Sequence, residues 1–434
     1  MWKLIVKNVW NRRRRNAWLT IEMTIVAVIT WVVIDPVVVL LYSKHLPLGY
    51  DADRLVVMNV VTKAKELPDY DANANDSASV ATNNLRIADL VEALPEVERV
   101  TPLHSMNYVN SKQIQNGEFF VGDRKCQAVT LNFFAGDGYL QTYGFEAVEG
   151  SPDVAELDET NYGMNDILIT ENVAKALGLG KHPQDWKLDG FYYYRMDTVH
   201  FRVRGILKDI CHRRSELPYP VVLVPNFHAN PWAVNLRSWN LLVRLKEGVS
   251  PRQFLNTHRD WLIERGIAGN QYVRSMHPYT DELDSFEFWN GTAQKIRTNV
   301  VMAVFFFISL LLGVIGTFWL QTRKRTEEAG IMRSFGATPG HIVRMLLGEG
   351  VVLCTISCLI GFWVYLQYAV MEGLDMGRSS VNFAGDSWVS HFWMHFAVVS
   401  LVVYLLLLVI VLLGVYIPAR GISRVSPVDA LKDE

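Results

Sequence analysis

Three uncharged apolar runs late in the chain, residues 300–320, 351–370 and 396–417, constrain its fold more than any other feature. A bilayer core takes about 20 consecutive apolar residues as a helix, and each run meets that length. A helix that is apolar on all sides has no solvent-facing surface, so these runs read as membrane spans. An earlier block, residues 18–41, is interrupted by Glu22 and by Asp35-Pro36, which leaves 23–34 free of charge. A secretory signal also pairs a basic start with a short apolar core. Here no small-x-small cleavage site follows, and apolar residues resume at 37–41. The block therefore reads as an uncleaved span, with Glu22 near one interface and Asp35 toward the other.

Lys and Arg in the short flanks set the orientation, because cytoplasmic flanks are enriched in them. Lys3, Lys7 and Arg12 to Arg15 precede the first span. Arg323, Lys324, Arg325, Arg333 and Arg344 lie between the second and third, and Arg420, Arg424 and Lys432 follow the fourth. Between the third and fourth stands Arg378, against Glu372, Asp375 and Asp386. Both termini and the second-to-third loop are expected in the cytoplasm, and residues 43–297 outside. The Arg12–Arg15 run beside a span is a topology signal, and no nucleic-acid partner is expected. With 42 basic and 44 acidic side chains, bulk charge excludes a polyanion-binding protein. Four cysteines, with no close pair outside an apolar run, exclude a disulfide scaffold or zinc ribbon.

Residues 43–297 carry most of the charge and read as an α+β domain. The Val-rich segment 54–62 is a strand, and 83–94 a short amphipathic helix with Leu85, Ala88, Leu90 and Val91 inward and Pro95 as its stop. Residues 97–109 are extended again. Residues 166–170 form a strand, followed by a helix over 171–177 that Gly178 ends. Along 198–207, Val199, Phe201, Val203 and Gly205 alternate with His200, Arg202 and Arg204, as in a half-buried strand. Short buried strands are expected at 221–224 and 241–245, and Ser250-Pro251 opens a helix to about Glu264. Residues 69–82, poor in large apolar side chains, read as a mobile surface loop. Residues 281–299 read as a stalk helix toward the second span, weakened by Gly291-Thr292.

The sequence holds no H-E-x-x-H, no G-x-S-x-G and no clustered Cys/His pattern, so no catalytic or metal-binding residues are assigned. Asp209, Cys211 and His212 stand close together, and a surface loop is the plainer reading than a nucleophile site. Cys126 and Cys211, both expected in an oxidising compartment, leave a disulfide open. The aromatic run 191–194 fits a strand packing surface better than a ligand platform. His391 and His395 have metal-compatible i, i+4 spacing, but Trp388 and Trp393 beside them suit an interfacial belt. Cys354 and Cys358 share one helix face as reduced thiols. The spans lack the rows of ionisable residues, or the Gly/Pro-broken pairs, that a polar solute pathway requires.

The cytoplasmic loop carries more information. Residues 325–338 read R-T-E-E-A-G-I-M-R-S-F-G-A-T, followed by Pro339-Gly340. A short amphipathic helix fits, with Ile331, Met332 and Phe335 on its apolar side and Glu327, Glu328 and Arg333 on its polar side. Gly336 is its stop signal, and Thr338-Pro339 begins the next helix. An apolar face exposed under a membrane must be buried against lipid or a partner.

This loop resembles the signature of FtsX/MacB-type ABC transporter permeases. Arg325, Glu328, Gly330, Ile331, Arg333, Gly336 and Ala337 match that pattern, while Ala329 and Phe335 replace its usual Ile and Leu. The tail is similar to the family's closing motif through Pro418, Ala419, Arg420, Pro427, Ala430 and Leu431, with Gly421 in place of a usual basic residue. Segments 90–102, 167–179 and 203–209 look like parts of the MacB-type periplasmic core.

The resemblance implies an α-helical membrane protein with four transmembrane helices and a large α+β periplasmic domain inserted between the first and second. The expected parts are a cytoplasmic segment 1–17, span 18–42, periplasmic core 43–297, span 298–320, coupling loop 321–344, span 345–371, periplasmic loop 372–391, span 392–417 and cytoplasmic tail 418–434. The implied function is the permease subunit of a mechanotransmission-type transporter in a bacterial inner membrane, exporting a peptide, lipoprotein or amphiphile. The alternative is a signalling scaffold that activates a periplasmic hydrolase or a peptide-sensing kinase. Glu328 to Ala337 would dock on the ATPase. The 434 residues hold no G-x-x-x-x-G-K-[ST] loop, since Gly180-Lys181 lacks the earlier Gly and the following Ser or Thr. The implied partners are a separate cytoplasmic ATP-binding subunit, a second permease chain (identical or related), the lipid bilayer and a periplasmic protein. ATP and Mg belong to the ATPase, and this chain binds no cofactor.

Overall fold

The computed structural model describes residues 2–11, 13–103, 109–110, 115–180, 186–192, 195–212, 214, 217–226, 239–289, 291–323, 326–374 and 387–423. The chain divides into two compact units. One is helical and is drawn from Met1–Leu41, Gln294–Gly377 and Asp386–Glu434; the other is α+β and lies within Tyr42–Ala293.

In chain order, α1 (Trp2–Asn11) and α2 (Arg13–Lys44) come first. The α+β unit follows with β1 (Leu55–Thr62), α3 (Ser77–Glu92), β2 (Val97–Leu103), β3 (Gln115–Val121) and β4 (Arg124–Phe134). It continues through α4 (Tyr139–Tyr143), α5 (Val154–Glu159), β5 (Asp166–Thr170), α6 (Glu171–Leu177), β6 (Lys187–Tyr192), β7 (Arg195–Leu207) and β8 (Val221–Asn226). It ends with β9 (Trp239–Leu245), α7 (Pro251–Arg265), β10 (Ile267–Ala268), β11 (Gln271–Pro278) and α8 (Tyr279–Trp289). Among the described residues four helices follow: α9 (Thr292–Arg323), α10 (Thr326–Ser334), α11 (Pro339–Glu372) and α12 (Phe392–Ile422).

The α+β unit is built on two sheets. One is antiparallel, in the order β10-β11-β1-β9-β2, and the other is a closed barrel, β3-β4-β8-β5-β7-β6. Strand periodicity explains both. In β1, Val56, Met58 and Val60 pack with Ile87 and Val91 of α3 and Phe254 and Leu262 of α7. The alternate residues Leu55 and Val57 join a second core with Leu131, Phe133, Tyr139 and Tyr143. The barrel strands divide the same way. Cys126, Ile167, Ile169 and Val222 join one core, and Leu131, Phe133, Leu168 and Leu223 the other. Apolar runs such as 221–224 thus belong to strands buried on both faces.

Several elements depart from the sequence reading for local reasons. Helix α3 starts at Ser77 because the Asp76 carboxylate accepts the N–H groups of Ala78 and Ser79, both at 3.0 Å. The part of the expected surface loop from Ser77 on is therefore helix. The stalk is two helices: Gly291 takes φ +70°, a left-handed conformation that ends α8 and lets α9 begin at Thr292. Of the extended segment 97–109, strand β2 accounts for the first seven residues, and 104–108 lie outside the described residues.

The helical unit contains four helices long and apolar enough to cross a bilayer, over Asn16–Lys44, Ile296–Gly313, Pro339–Glu372 and Phe392–Ile422. Leu19, Met23, Ala27 and Trp31 form one stripe of α2 at i, i+4 spacing. They pack with Cys354, Cys358, Tyr365 and Ala369 of α11 and Val399, Val403 and Leu407 of α12. At Gly361 an added Cβ would lie 3.0 Å from the Ala27 Cβ and 3.1 Å from the Thr24 carbonyl oxygen. A small residue there lets α2 and α11 approach closely, the usual way spans associate where lipid removes the hydrophobic drive. Helix α9 differs: Val301, Phe305 and Leu312 are exposed along it.

Asp35 has a partner that the sequence does not show. Helix α2 runs unbroken through Pro36 to Lys44, and Asp35 is buried within the helical unit. Its Oδ1 lies 2.6 Å from His395 Nε2. His395 Nδ1 is 3.2 Å from the Val389 carbonyl oxygen, which can only accept. Nδ1 is therefore the donor in that bond, and Nε2 faces the Asp35 carboxyl.

Candidate functional site

The candidate coupling residues fall on α10 and the turn that follows it. Gly336 adopts φ +87°. Its N–H donates to the Arg333 carbonyl at 3.0 Å, and the Ala337 N–H to that of Met332 at 3.0 Å. This pair of bonds closes a helix on a left-handed glycine and satisfies two of its terminal carbonyls. Thr338 then caps α11, its hydroxyl accepting the His341 N–H at 3.3 Å, with Pro339 at the first helical position.

The face this turn presents outward is the apolar one, and a seat of small residues lies opposite it. Ala329 and Gly330 are buried, and Ala329 and Ala337 pack with the core of the helical unit. Ile331 is 48% exposed and Phe335 86% exposed. The two smallest residues of α10 thus seat it, while Ile331 and, just past its end, Phe335 project outward and Met332 is partly buried. Sequence reasoning assigned Ile331, Met332 and Phe335 to one apolar side and missed the Ala329–Gly330 seat. The signal available was the small residue at position 329, which packs close against the helices beneath it. Glu328 and Arg333 are partly buried on the flanks. Pro418 is buried within α12 and Arg420 is exposed near its end. Arg325, Pro427 and Leu431 lie outside the described residues.

The cluster Asp209–Cys211–His212 is not a surface loop. Cys211 and His212 are buried, and Asp209 is partly so. The Asp209 Oδ1 accepts the Asn172 N–H at 2.8 Å, which caps α6. Burial pushes the Asp209 carboxyl up, with Glu171 adding to it and the Asn172 N–H opposing. Burial, with a smaller push from Asp209, raises the Cys211 thiol to about 12, and its Sγ contacts the Pro47 carbonyl at 3.4 Å. Cys126 is also raised to about 12 by burial. Both cysteines are free, so these two do not pair. A thiol held this far from ionisation is an inert packing group and not a nucleophile.

The remaining candidates resolve into structure. His391 is exposed while His395 turns inward to Asp35, so the two imidazoles do not converge on a common ion. Cys354 and Cys358 lie 4.0 Å apart within the core that α2 shares with α11. Phe191 is a half-buried residue of β6, and 193–194 lie outside the described residues. The α+β unit has an open cleft of about 710 Å³ lined by Arg54, Arg214, Arg244, Asp51 and Glu247. Two of its cations are paired: Arg244 Nη2 lies 2.9 Å from Asp51, and Arg54 pairs with Glu98.

Comparison with known proteins yields two domain matches. A MacB-like periplasmic core domain matches residues 46–259, and an FtsX-like permease C-terminal domain matches residues 300–427. Among relatives, the macrolide export ATP-binding/permease protein MacB of Chromobacterium violaceum is 30% identical over 341 residues, covering 69% of this chain and 48% of its own length. The MacB of Hahella chejuensis is 24% identical over 382 residues, covering 83% of this chain and 50% of its own. The uncharacterized ABC transporter permease YknZ of Bacillus subtilis is 29% identical over 178 residues, covering 38% and 41%. The chain spans about half the length of the MacB relatives it matches.

Proposed function

We infer the function from the family: the chain belongs to the ABC transporter permeases that join a MacB-like periplasmic core domain to an FtsX-like permease domain. It is a multi-pass membrane protein with four spans. In our reading it sits in a bacterial inner membrane, with the segments before the first span and after the fourth in the cytoplasm, as the Lys and Arg distribution requires. ATP and Mg are handled by an ATP-binding subunit. Two permease chains face two such subunits. Closure of the ATPases moves α10, and the spans pass that motion to the periplasmic unit, which handles a peptide, lipoprotein or amphiphile outside the lipid.

One observation carries this reading. A short helix, locked by a glycine turn and seated on Ala329 and Gly330, holds Phe335 and Ile331 out from the end of α11. An isolated apolar pair on a rigid mount is the form of a docking knob, where one aromatic anchor supplies much of the binding energy. Spans packed mainly by apolar residues, aromatic Trp31 and Tyr365 among them, agree with motion transmitted along helices instead of a solute passing between them.

The test is co-purification of the tagged chain from its host in mild detergent, beside Phe335→Ala and Gly336→Asp variants. An ATP-binding subunit held by the parent and lost from both variants, with unchanged expression and elution, is the expected outcome. Equal recovery of that subunit with all three chains would refute the docking assignment.

A further inference from the structure

The cytoplasmic-end helix α1 has two unlike faces. Ile5 and Val9 are 3% and 7% exposed. Ile5 fits against Gly348 of α11, where an added Cβ would lie 2.6 Å from the Ile5 Cδ1. The Asn16 side chain ties the end of α1 to the start of α2, its Nδ2 donating to the Val9 carbonyl at 3.3 Å. This inner face is settled within the helical unit. The other face is not. Lys7, Asn11, Arg13 and Arg14 are exposed, with Trp10 at 67% and Trp18 at 73%. The Arg13 guanidinium carbon stands 5.7 Å from the centre of the Trp10 ring. Among the described residues, Lys7, Arg13 and Arg14 have no carboxylate partner, and the first acidic residue in the sequence is Glu22.

Position adds to composition. The span Asn16–Lys44 begins two residues after Arg14, so these cations lie at headgroup depth. Tryptophan prefers that depth because its ring is apolar and its N–H is polar. A helix with one basic, aromatic face at an interface binds anionic lipid through charge and buried apolar area together.

We propose that the Lys7–Trp10–Arg13–Arg14 face of α1 and α2 is a docking surface for the anionic phospholipid headgroups of the leaflet it faces. It rests on the orientation proposed above only for naming that leaflet as cytoplasmic. Phosphate oxygens meet three cations, and the two tryptophans insert beside the acyl boundary. Each cation held near an anionic surface strengthens association about fivefold.

The full chain is purified in mild detergent with equal amounts of phosphatidylcholine and phosphatidylglycerol, and retained lipid is counted by mass spectrometry. The parent is expected to keep phosphatidylglycerol over phosphatidylcholine by roughly tenfold or more, falling in about 0.5 M salt. A Lys7→Gln, Arg13→Gln, Arg14→Gln variant is expected within about twofold of the supplied ratio. Arg13→Gln alone, at an exposed site, gives an intermediate ratio and guards against a folding failure of the triple variant. An Arg252→Gln, Arg259→Gln control in α7 keeps the parent ratio. The parent ratio persisting in the triple variant overturns the proposal. So does loss of a co-purifying protein with the lipid ratio unchanged, which assigns the face to a protein partner. The readout needs no ATP-binding subunit, so it stands or falls apart from the docking of α10.

Discussion

His395→Leu is expected to destabilise the helical unit by about 3–5 kcal/mol, because it strips Asp35 of the imidazole that meets it at 2.6 Å. The two side chains are 0% and 2% exposed, so water does not take the place of the lost partner. Two bounds follow from this geometry. As an ion pair, unit charges about 4 Å apart at an effective dielectric of about 20 attract by about 4 kcal/mol. As a neutral hydrogen bond, the contact is worth about 1 kcal/mol net. Asp35→Leu breaks the same contact from the other side. Joining both changes in one chain leaves neither group facing a lost partner and recovers much of the loss. Unfolding of the chain in bicelles by steric trapping, over this double-mutant cycle, yields the coupling directly. A coupling under about 0.5 kcal/mol, or a His395→Leu cost under about 1 kcal/mol, would show that the buried pair is incidental to holding α2 against α12.

Other consequences concern the α+β unit. Phe133 is fully buried, with its ring 5.5 Å from Tyr162 and 6.0 Å from Tyr139, so Phe133→Ala should cost about 3–5 kcal/mol in urea unfolding. Burial raises the Asp209 carboxyl, so the folded unit binds its proton more tightly than the unfolded chain does. Stability should therefore fall as pH rises from the ordinary carboxylate range through the raised folded value, and then level off. Asp209→Asn should flatten that slope while keeping the acceptor for the Asn172 N–H, and urea midpoints measured from pH 4 to 8 read the difference. Cys126 and Cys211, buried and raised to about 12, should resist maleimide at pH 7.5 until urea is added. Rapid labelling of the folded chain would contradict their burial.

Much of this architecture was legible in residue order because its signals are local. Val199, Phe201 and Val203 alternate with charged neighbours, and they lie in β7 with Arg202 Nε turned out to Asp166 at 2.7 Å. The pair Ser250-Pro251 opened α7 as expected. Gly178 and Gly336 ended their helices through left-handed backbone. The start of α3 was misplaced because it depends on one Asp76 carboxylate folding back on its own helix, in a stretch with little hydrophobic signal. The α8–α9 break was visible only as a doubt about Gly291.

The candidate site was half legible. Its position, its glycine stop and its Thr-Pro restart were all in the chain order. Its seat was not, because the inward turn of Ala329 and Gly330 depends on the helices beneath, and a residue's hydrophobicity carries no record of its neighbours. The same limit applies to Asp35 and His395, 360 positions apart. Each alone looked like an interfacial polar residue, and their pairing exists only once α2 and α12 are packed. The sequence by itself determined the spans, their order and the family, since these rest on length, local periodicity and contiguous motifs. Only the tertiary structure decided which side chains are buried together, because burial is a property of the pair of surfaces and not of either one.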